Sequence, residues 1–259
     1  MTDALAFSHR GRVASTDVQG AVAARVAGLD WETIDRDLDQ RGYALTGPLL
    51  NRLECAGLIA DYERDELYRS RVFMKRHNFG LGEYRYFSAP LPDLVQSLRS
   101  AAYPHLAPLA NRWAGRMNQD RRFPDDLETF LATCHEQGQT RPTPLILRYG
   151  EGDYNCLHQD LYGEIVFPLQ LAVLLNDPGA ESEGGDFDGG EFVVTEQRPR
   201  MQSRAEVVPL RKGEAVIFAV NERPVQGTRG SYRVKMRHGV SRLRAGRRHS
   251  LGVIFHDAS

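Results

Sequence analysis

Cysteine is scarce in this chain. Its 259 residues hold three, Cys55, Cys134 and Cys156, which are odd in number and far apart. That argues against a disulfide-framed scaffold and points to a reducing compartment. Long apolar runs are missing too. The longest near-continuous one, Val166 to Leu175, is interrupted by Gln170 and is too short to span a bilayer. The opening MTDALAFSHRGR has no apolar run before a cleavage site. No secretory leader and no membrane association are therefore expected, and the expected location is the cytoplasm. A strong net charge is also absent: 33 basic side chains against 34 acidic ones leave a formal −1, so no overall field points to a partner. Repeats and low-complexity segments do not occur, and nothing implies an obligate protein partner. What remains is an ordinary globular composition, 41% hydrophobic and 26% charged, with enough chain for a sizeable core.

The charge is unevenly spread. Between Thr195 and His249 stand 14 Arg or Lys against four Glu and no Asp, whereas Glu181 to Glu191 carries five acids and no base. A basic half of this kind either decorates exposed strands or meets a polyanion.

Residues 1–140 read as mostly helical. Thr16-Asp17-Val18-Gln19 fits a capping box, followed by Val18, Val22, Val26 and Leu29 at near-helical spacing. A short strand is expected over Gly42 to Leu45. Thr46-Gly47-Pro48 then starts a helix with Leu49, Leu53 and Ile59 inward. Asp93 to Ala102 carries an apolar stripe. Pro104 and Pro108 interrupt or restart a helix that reaches about Met117, and Pro124 opens another that ends near Gly138.

After Pro142 the segments become short, β-rich and separated by glycine. Strands are expected over Leu145–Tyr149, Ile165–Leu175, Gly190–Thr195, Ala205–Pro209, Glu214–Ala219, Ser231–Arg237 and Arg248–His256. Many short strands without intervening helices indicate a sandwich or barrel rather than a doubly wound sheet. The expected class is α+β: a β-core over 141–259 with the helical N-terminal region packed on its outside, together one structural domain.

Chemistry concentrates in a few residues. In YNCLHQDLYG, His158 and Asp160 are two apart, so an extended backbone aims both at one point. A third ligand comes from the alternating run SYRVKMRH. Tyr232, Val234, Met236 and His238 share its apolar face, which puts His238 inside; Arg233, Lys235 and Arg237 share the other. That outer stripe is a solvated face, or it tracks a phosphate backbone. On the last strand Arg248 and Ser250 share a face. An inward arginine needs an anion. It has either a carboxylate bound in the pocket, which the guanidinium fork suits, or an acid of the chain such as Asp257. Two histidines and one carboxylate with open positions suit non-heme Fe(II).

This arrangement resembles the 2-oxoglutarate/Fe(II)-dependent oxygenases. In that superfamily an HxD, a distal His and an Arg-x-Ser serve iron and 2-oxoglutarate, and here they match His158 and Asp160, His238, and Arg248 and Ser250. The resemblance implies a double-stranded β-helix, or jelly-roll, core. LRYGEGDYNCLHQD resembles the superfamily's tyrosine, turn and HxD, which places Tyr149 at the cosubstrate. The phrases TEQRPRMQSRAEVVPL, RPVQGTRGSYRV and RHGVSRLRAGRRHSLGVIFHDA are similar to a bacterial oxygenase family described as acting oxidatively on methylated, damaged DNA. That family is related in role to the AlkB dealkylases. Three features depart from the AlkB pattern. Leu147 stands where AlkB has asparagine, Ile254 where it has a second arginine, and the interval from distal histidine to first arginine is shorter.

The resemblance implies a dioxygenase that uses Fe(II), 2-oxoglutarate and O2 and releases succinate and CO2. If the substrate carbon is an N-methyl on damaged DNA, formaldehyde follows, and the role is DNA repair. Arg198, Arg200 and Arg204, in a loop able to overhang the pocket, are the candidate substrate contacts. The AlkB departures keep a second reading open, a prolyl-hydroxylase-like hydroxylase of a protein side chain or small molecule. A jelly-roll binding module without catalysis is a third.

Overall fold

Alternation along β-strands divides the molecule into two interiors. The computed structural model describes residues 19–259, so the expected capping box beginning at Thr16 lies outside the described residues. Four strands come from the N-terminal part: β1 (Tyr43–Pro48), β2 (Tyr68–Phe73), β3 (Gly80–Leu81) and β4 (Glu83–Phe87). Then follow β5 (Leu145–Tyr149), β6 (Tyr154–His158), β7 (Leu169–Leu174), β8 (Phe187–Gly189), β9 (Phe192–Gln197) and β10 (Arg204–Val208). The chain closes with β11 (Glu214–Ala219), β12 (Glu222–Gly227), β13 (Gly230–Val240), β14 (Leu243–Gly246) and β15 (Arg248–Ile254). A seven-stranded sheet runs β1-β11-β7-β15-β5-β4-β2, and a second runs β10-β9-β13-β6-β3 with β12 paired to β13. The pairings between named strands are antiparallel. The class is α+β with mostly antiparallel sheets.

The period of two decides which interior each residue joins. On β7 and β15, Leu169, Leu171, Val173, Leu251 and Val253 enter one cluster with helix residues such as Leu98, Ala102 and Tyr103. The opposite face of the same sheet contributes Tyr149, Leu174, Val216 and Phe218, which pack against Phe192, Val194 and Val240 of the second sheet. The two sheets thus face each other, and the pocket opens between them.

Helices α1 (residues 19–27 among those described), α2 (Trp31–Arg41), α3 (Arg52–Asp61), α4 (Asp93–Arg116) and α5 (Leu127–Glu136) supply the first cluster. Asn51 starts α3 through a full capping box with Glu54. Thr46-Gly47-Pro48 belongs instead to β1 and its end. That later start rotates the helix: Cys55 and Leu58 face inward, and Leu53, expected inside, is 85% exposed. Helix α4 runs unbroken through Pro104 and Pro108. An interior proline costs roughly 3 kcal/mol. The buried stripe Val95, Leu98, Tyr103, Leu106, Leu109 and Trp113 outweighs that at roughly 1.5–3 kcal/mol for each large side chain. Among the described residues no helix is long and apolar enough to cross a membrane.

Strands β2, β3, β4, β6, β8, β12 and β14 are additional to those expected, and β13 extends through His238 to Val240. The basic and acidic stretches partly neutralise each other in space. Arg244 of β14 pairs with Asp188 of β8 at 2.7 Å, and Lys212 pairs with Asp186 at 3.8 Å.

Candidate metal centre and its pocket

His158 closes β6 and lies directly opposite His238 on β13. Asp160 follows two residues later, past the strand's end. His158 Nε2 is 3.4 Å from Asp160 Oδ1, and His238 Nε2 is 3.4 Å from Asp160 Oδ2. One donor atom from each residue falls within 4.8 Å of the others. Separations of this size suit neighbouring ligands around one ion better than short, strong hydrogen bonds.

Each donor is aimed by its surroundings. His158 Nδ1 lies 2.8 Å from the Cys156 carbonyl. It carries the proton there and leaves the Nε2 lone pair to the site. The Tyr162 hydroxyl donates to Asp160 Oδ1 at 2.6 Å. Burial alone would raise the Asp160 carboxyl, but the two imidazoles outweigh it and hold Asp160 well below the usual carboxylate range. His238 is pushed down by burial and by its neighbour His158. Its ring packs on Phe218 with centroids 4.5 Å apart. Two imidazoles and one ionised carboxylate are the donor set that Fe(II) takes, and the residues present fit it.

Arg248 is 2% exposed, and its Nε has no hydrogen-bond partner. One guanidinium nitrogen reaches Ser250 Oγ at 3.2 Å, and the group lies 5.5 Å from the Tyr149 ring centre. Among the described residues no carboxylate comes within ion-pairing distance of Arg248. Asp257 is engaged elsewhere, by Arg99 at 2.7 Å and His135 at 2.9 Å. Tyr149, in register with Arg248 on β5, is fully buried, and its hydroxyl has no partner. A buried cation beside two hydroxyl groups has the chemistry to receive a carboxylate.

One pocket is lined by His158, Asp160 and His238 at one part and Tyr149, Arg248 and Ser250 at another. The three loop arginines are not among its lining residues. Arg198 pairs with Glu196 at 2.9 Å and Arg204 with Glu206 at 3.0 Å. Arg200 sits in a left-handed turn at φ 63°. Residues that sequence reasoning passed over do line the pocket: Phe79, Tyr84, Tyr162 and Gln170. Tyr162 was reachable, because it continues the two-residue step from His158 through Asp160. Gln170 stood out only as a polar break in an apolar run.

Solved structures share the fold. A Pseudomonas putida prolyl-4-hydroxylase is similar with a TM-score of 0.52 and 12% identity, over 88% of this chain and 99% of that one. An oxidoreductase of the 2OG-Fe(II) oxygenase family from Burkholderia pseudomallei gives 0.50 and 16%, over 88% and 93%. The fold is shared with these proteins, and the donor set fits Fe(II) with open positions for O2 and 2-oxoglutarate. Residues 82–258 match the family described as "Oxygenase, catalysing oxidative methylation of damaged DNA", and the chain belongs to this family. Two uncharacterized Mycobacterium tuberculosis proteins, MT2286 and Rv2227, are each 46% identical over 173 residues, 67% of this chain and 72% of theirs.

Proposed function

We propose that this oxygenase removes methyl groups oxidatively from damaged nucleic acid, releasing succinate, CO2 and formaldehyde. The observation that carries the reading is the single pocket joining a His-Asp-His triad to a buried arginine without a counter-charge. In this reading the two facing sheets are the double-stranded β-helix, with the N-terminal helices as its outer layer.

His158, Asp160 and His238 would hold the iron, which when bound supplies oxygen activation coupled to decarboxylation of 2-oxoglutarate. Arg248 and Ser250 anchor the cosubstrate's far carboxylate, and the Tyr149 hydroxyl adds a hydrogen bond. Leu147, Leu174 and Val240 wall that space with apolar surface and keep water out. Tyr162 fixes the carboxylate of Asp160 through its donated hydrogen bond.

Support for a polyanionic substrate comes from position. Lys235 and Arg237 are exposed on the outer face of β13, and among the described residues neither has an ion-pair partner. Lys75 and Arg76, also exposed, lie on the connection that crosses from β2, the edge of one sheet, to β3, the edge of the other. That connection ends at Phe79, which lines the pocket.

The test supplies Fe(II), 2-oxoglutarate and an N-methylated single-stranded oligonucleotide. Formaldehyde and succinate are expected together from the methylated strand, with neither from His158→Ala. Binding should weaken steeply with salt. Ile254, packed in an apolar cluster where AlkB would carry a second arginine, favours the second reading, hydroxylation of a protein side chain or small molecule. Succinate formation stimulated by a peptide and not by any methylated oligonucleotide would establish that alternative.

A further inference from the structure

Gln170 is the polar exception on β7. It is 3% exposed, its amide nitrogen has no hydrogen-bond partner, and it lines the same pocket as the triad. Leaving such a group unsatisfied costs roughly 1–3 kcal/mol. An apolar residue would fill the position without that penalty, as Ala172 and Leu174 do further along the same face.

The register tells where in the pocket this amide stands. Gln170 lies opposite Phe218 on β11 and opposite Ile254 on β15. Phe218 packs on the His238 ring. Ile254 shares a cluster with Tyr162, which holds Asp160. Both neighbours therefore touch the metal-binding side chains or their tether. Arg248 is at the other end of β15, roughly 20 Å of strand from Ile254. The cosubstrate's anchoring carboxylate at Arg248 is therefore remote from Gln170.

We propose that Gln170 is a specificity-determining residue whose carboxamide hydrogen-bonds the target base beside the metal. This rests on the nucleic-acid reading above. An uncharged amide offers a donor and an acceptor together, which complements the edge of a nucleobase. Its backbone is fixed on both sides by strand pairing, so the amide is held in place before substrate arrives.

The experiment uses the full chain loaded with Fe(II) in the absence of oxygen. 2-Oxoglutarate binding is read from the charge-transfer absorption of the iron complex. Binding of a single-stranded oligonucleotide with one N-methylated base, and of its unmethylated twin, is read by fluorescence anisotropy. Wild type is expected to prefer the methylated strand. Gln170→Leu should lose about tenfold of that preference, the worth of one well-placed hydrogen bond. Its 2-oxoglutarate midpoint should stay within about twofold, and its melting temperature should not fall, because no internal hydrogen bond is lost. If Gln170→Leu does not fold, Gln170→Asn, which keeps the amide but withdraws it, is expected to show the same loss. A tenfold loss of 2-oxoglutarate affinity would make Gln170 a cosubstrate contact and overturn the proposal, as would a preference kept intact in the variant. A wild type without any preference would instead refute the nucleic-acid reading itself, and this inference with it.

Discussion

The Tyr162 hydroxyl donates a 2.6 Å hydrogen bond to Asp160 Oδ1, while Oδ2 of the same carboxylate faces His238. Oδ1 thus meets both the phenol and His158, so the phenol steadies a carboxylate that lies between two imidazoles. Tyr162→Phe removes the tether and keeps the ring, which packs near Tyr86 and His256. Fe(II) affinity is expected to fall roughly 10- to 100-fold, with the melting temperature of the metal-free protein little changed. Competition with a chromogenic chelator measures the first and a thermal melt the second.

Arg248 should behave as a ligand-binding charge rather than a structural one. Removing one partner of a buried ion pair normally destabilises by roughly 3–5 kcal/mol, but Arg248 has no such partner to strand. Arg248→Met is expected to melt no lower than wild type without cosubstrate, while its affinity for 2-oxoglutarate falls by tenfold or more, about 1.4 kcal/mol or greater. Calorimetric titration and a melt with and without 2-oxoglutarate check both halves. A melting temperature that collapses in Arg248→Met would mean a structural counter-charge.

Alanine at His158, Asp160 or His238 should each abolish succinate formation and the stabilisation that Fe(II) confers. A ligand that binds only the folded state adds RT ln(1 + [L]/Kd). The wild-type melting temperature should therefore rise with added Fe(II), drop back on chelation and recover on re-addition. None of the three variants should show that rise.

Two histidines away from the triad set a pH dependence of stability. Burial pushes His249 and His256 down from the ordinary 6.5 to about 4. Between those values the unfolded chain binds protons that the folded chain refuses, so stability falls as pH drops from 6.5 toward 4 and is unaffected by these groups above 6.5. Each shift corresponds to about 3 kcal/mol at its full extent. Melting temperatures taken between pH 8 and pH 4.5 should decline below 6.5. His249→Gln, which keeps a donor toward Asn176, should remove about half of the slope these two residues cause.

How much of this was legible beforehand differs from element to element. Strands β5 and β11 lie where the apolar β-branched runs put them. Strands β2 and β4 did not show, because YRSRVF and EYRYF put charges where a strand's inner face would be apolar. Those charges find partners: Arg71 and Arg148 both bind Glu83, and Arg85 pairs with Asp65 and lies over the Tyr62 ring. Leu53 was misplaced because the phase of α3 depends on which residue caps it, and Asn51 with Glu54 does so in competition with Thr46-Gly47-Pro48.

By itself the sequence determined the inward side of each site strand. Alternation has a period of two, so Val234 and Met236 carry His238 into the interior, and Arg248 carries Ser250 with it. Local periodicity settles such facing without knowledge of the rest of the chain. Only the tertiary structure decided who meets whom. It set His158 against His238 across β6 and β13, gave Asp257 to Arg99 rather than Arg248, and brought Gln170 into the pocket beside Phe218. Those outcomes depend on strand order and register between segments far apart in the chain, and no local pattern encodes them.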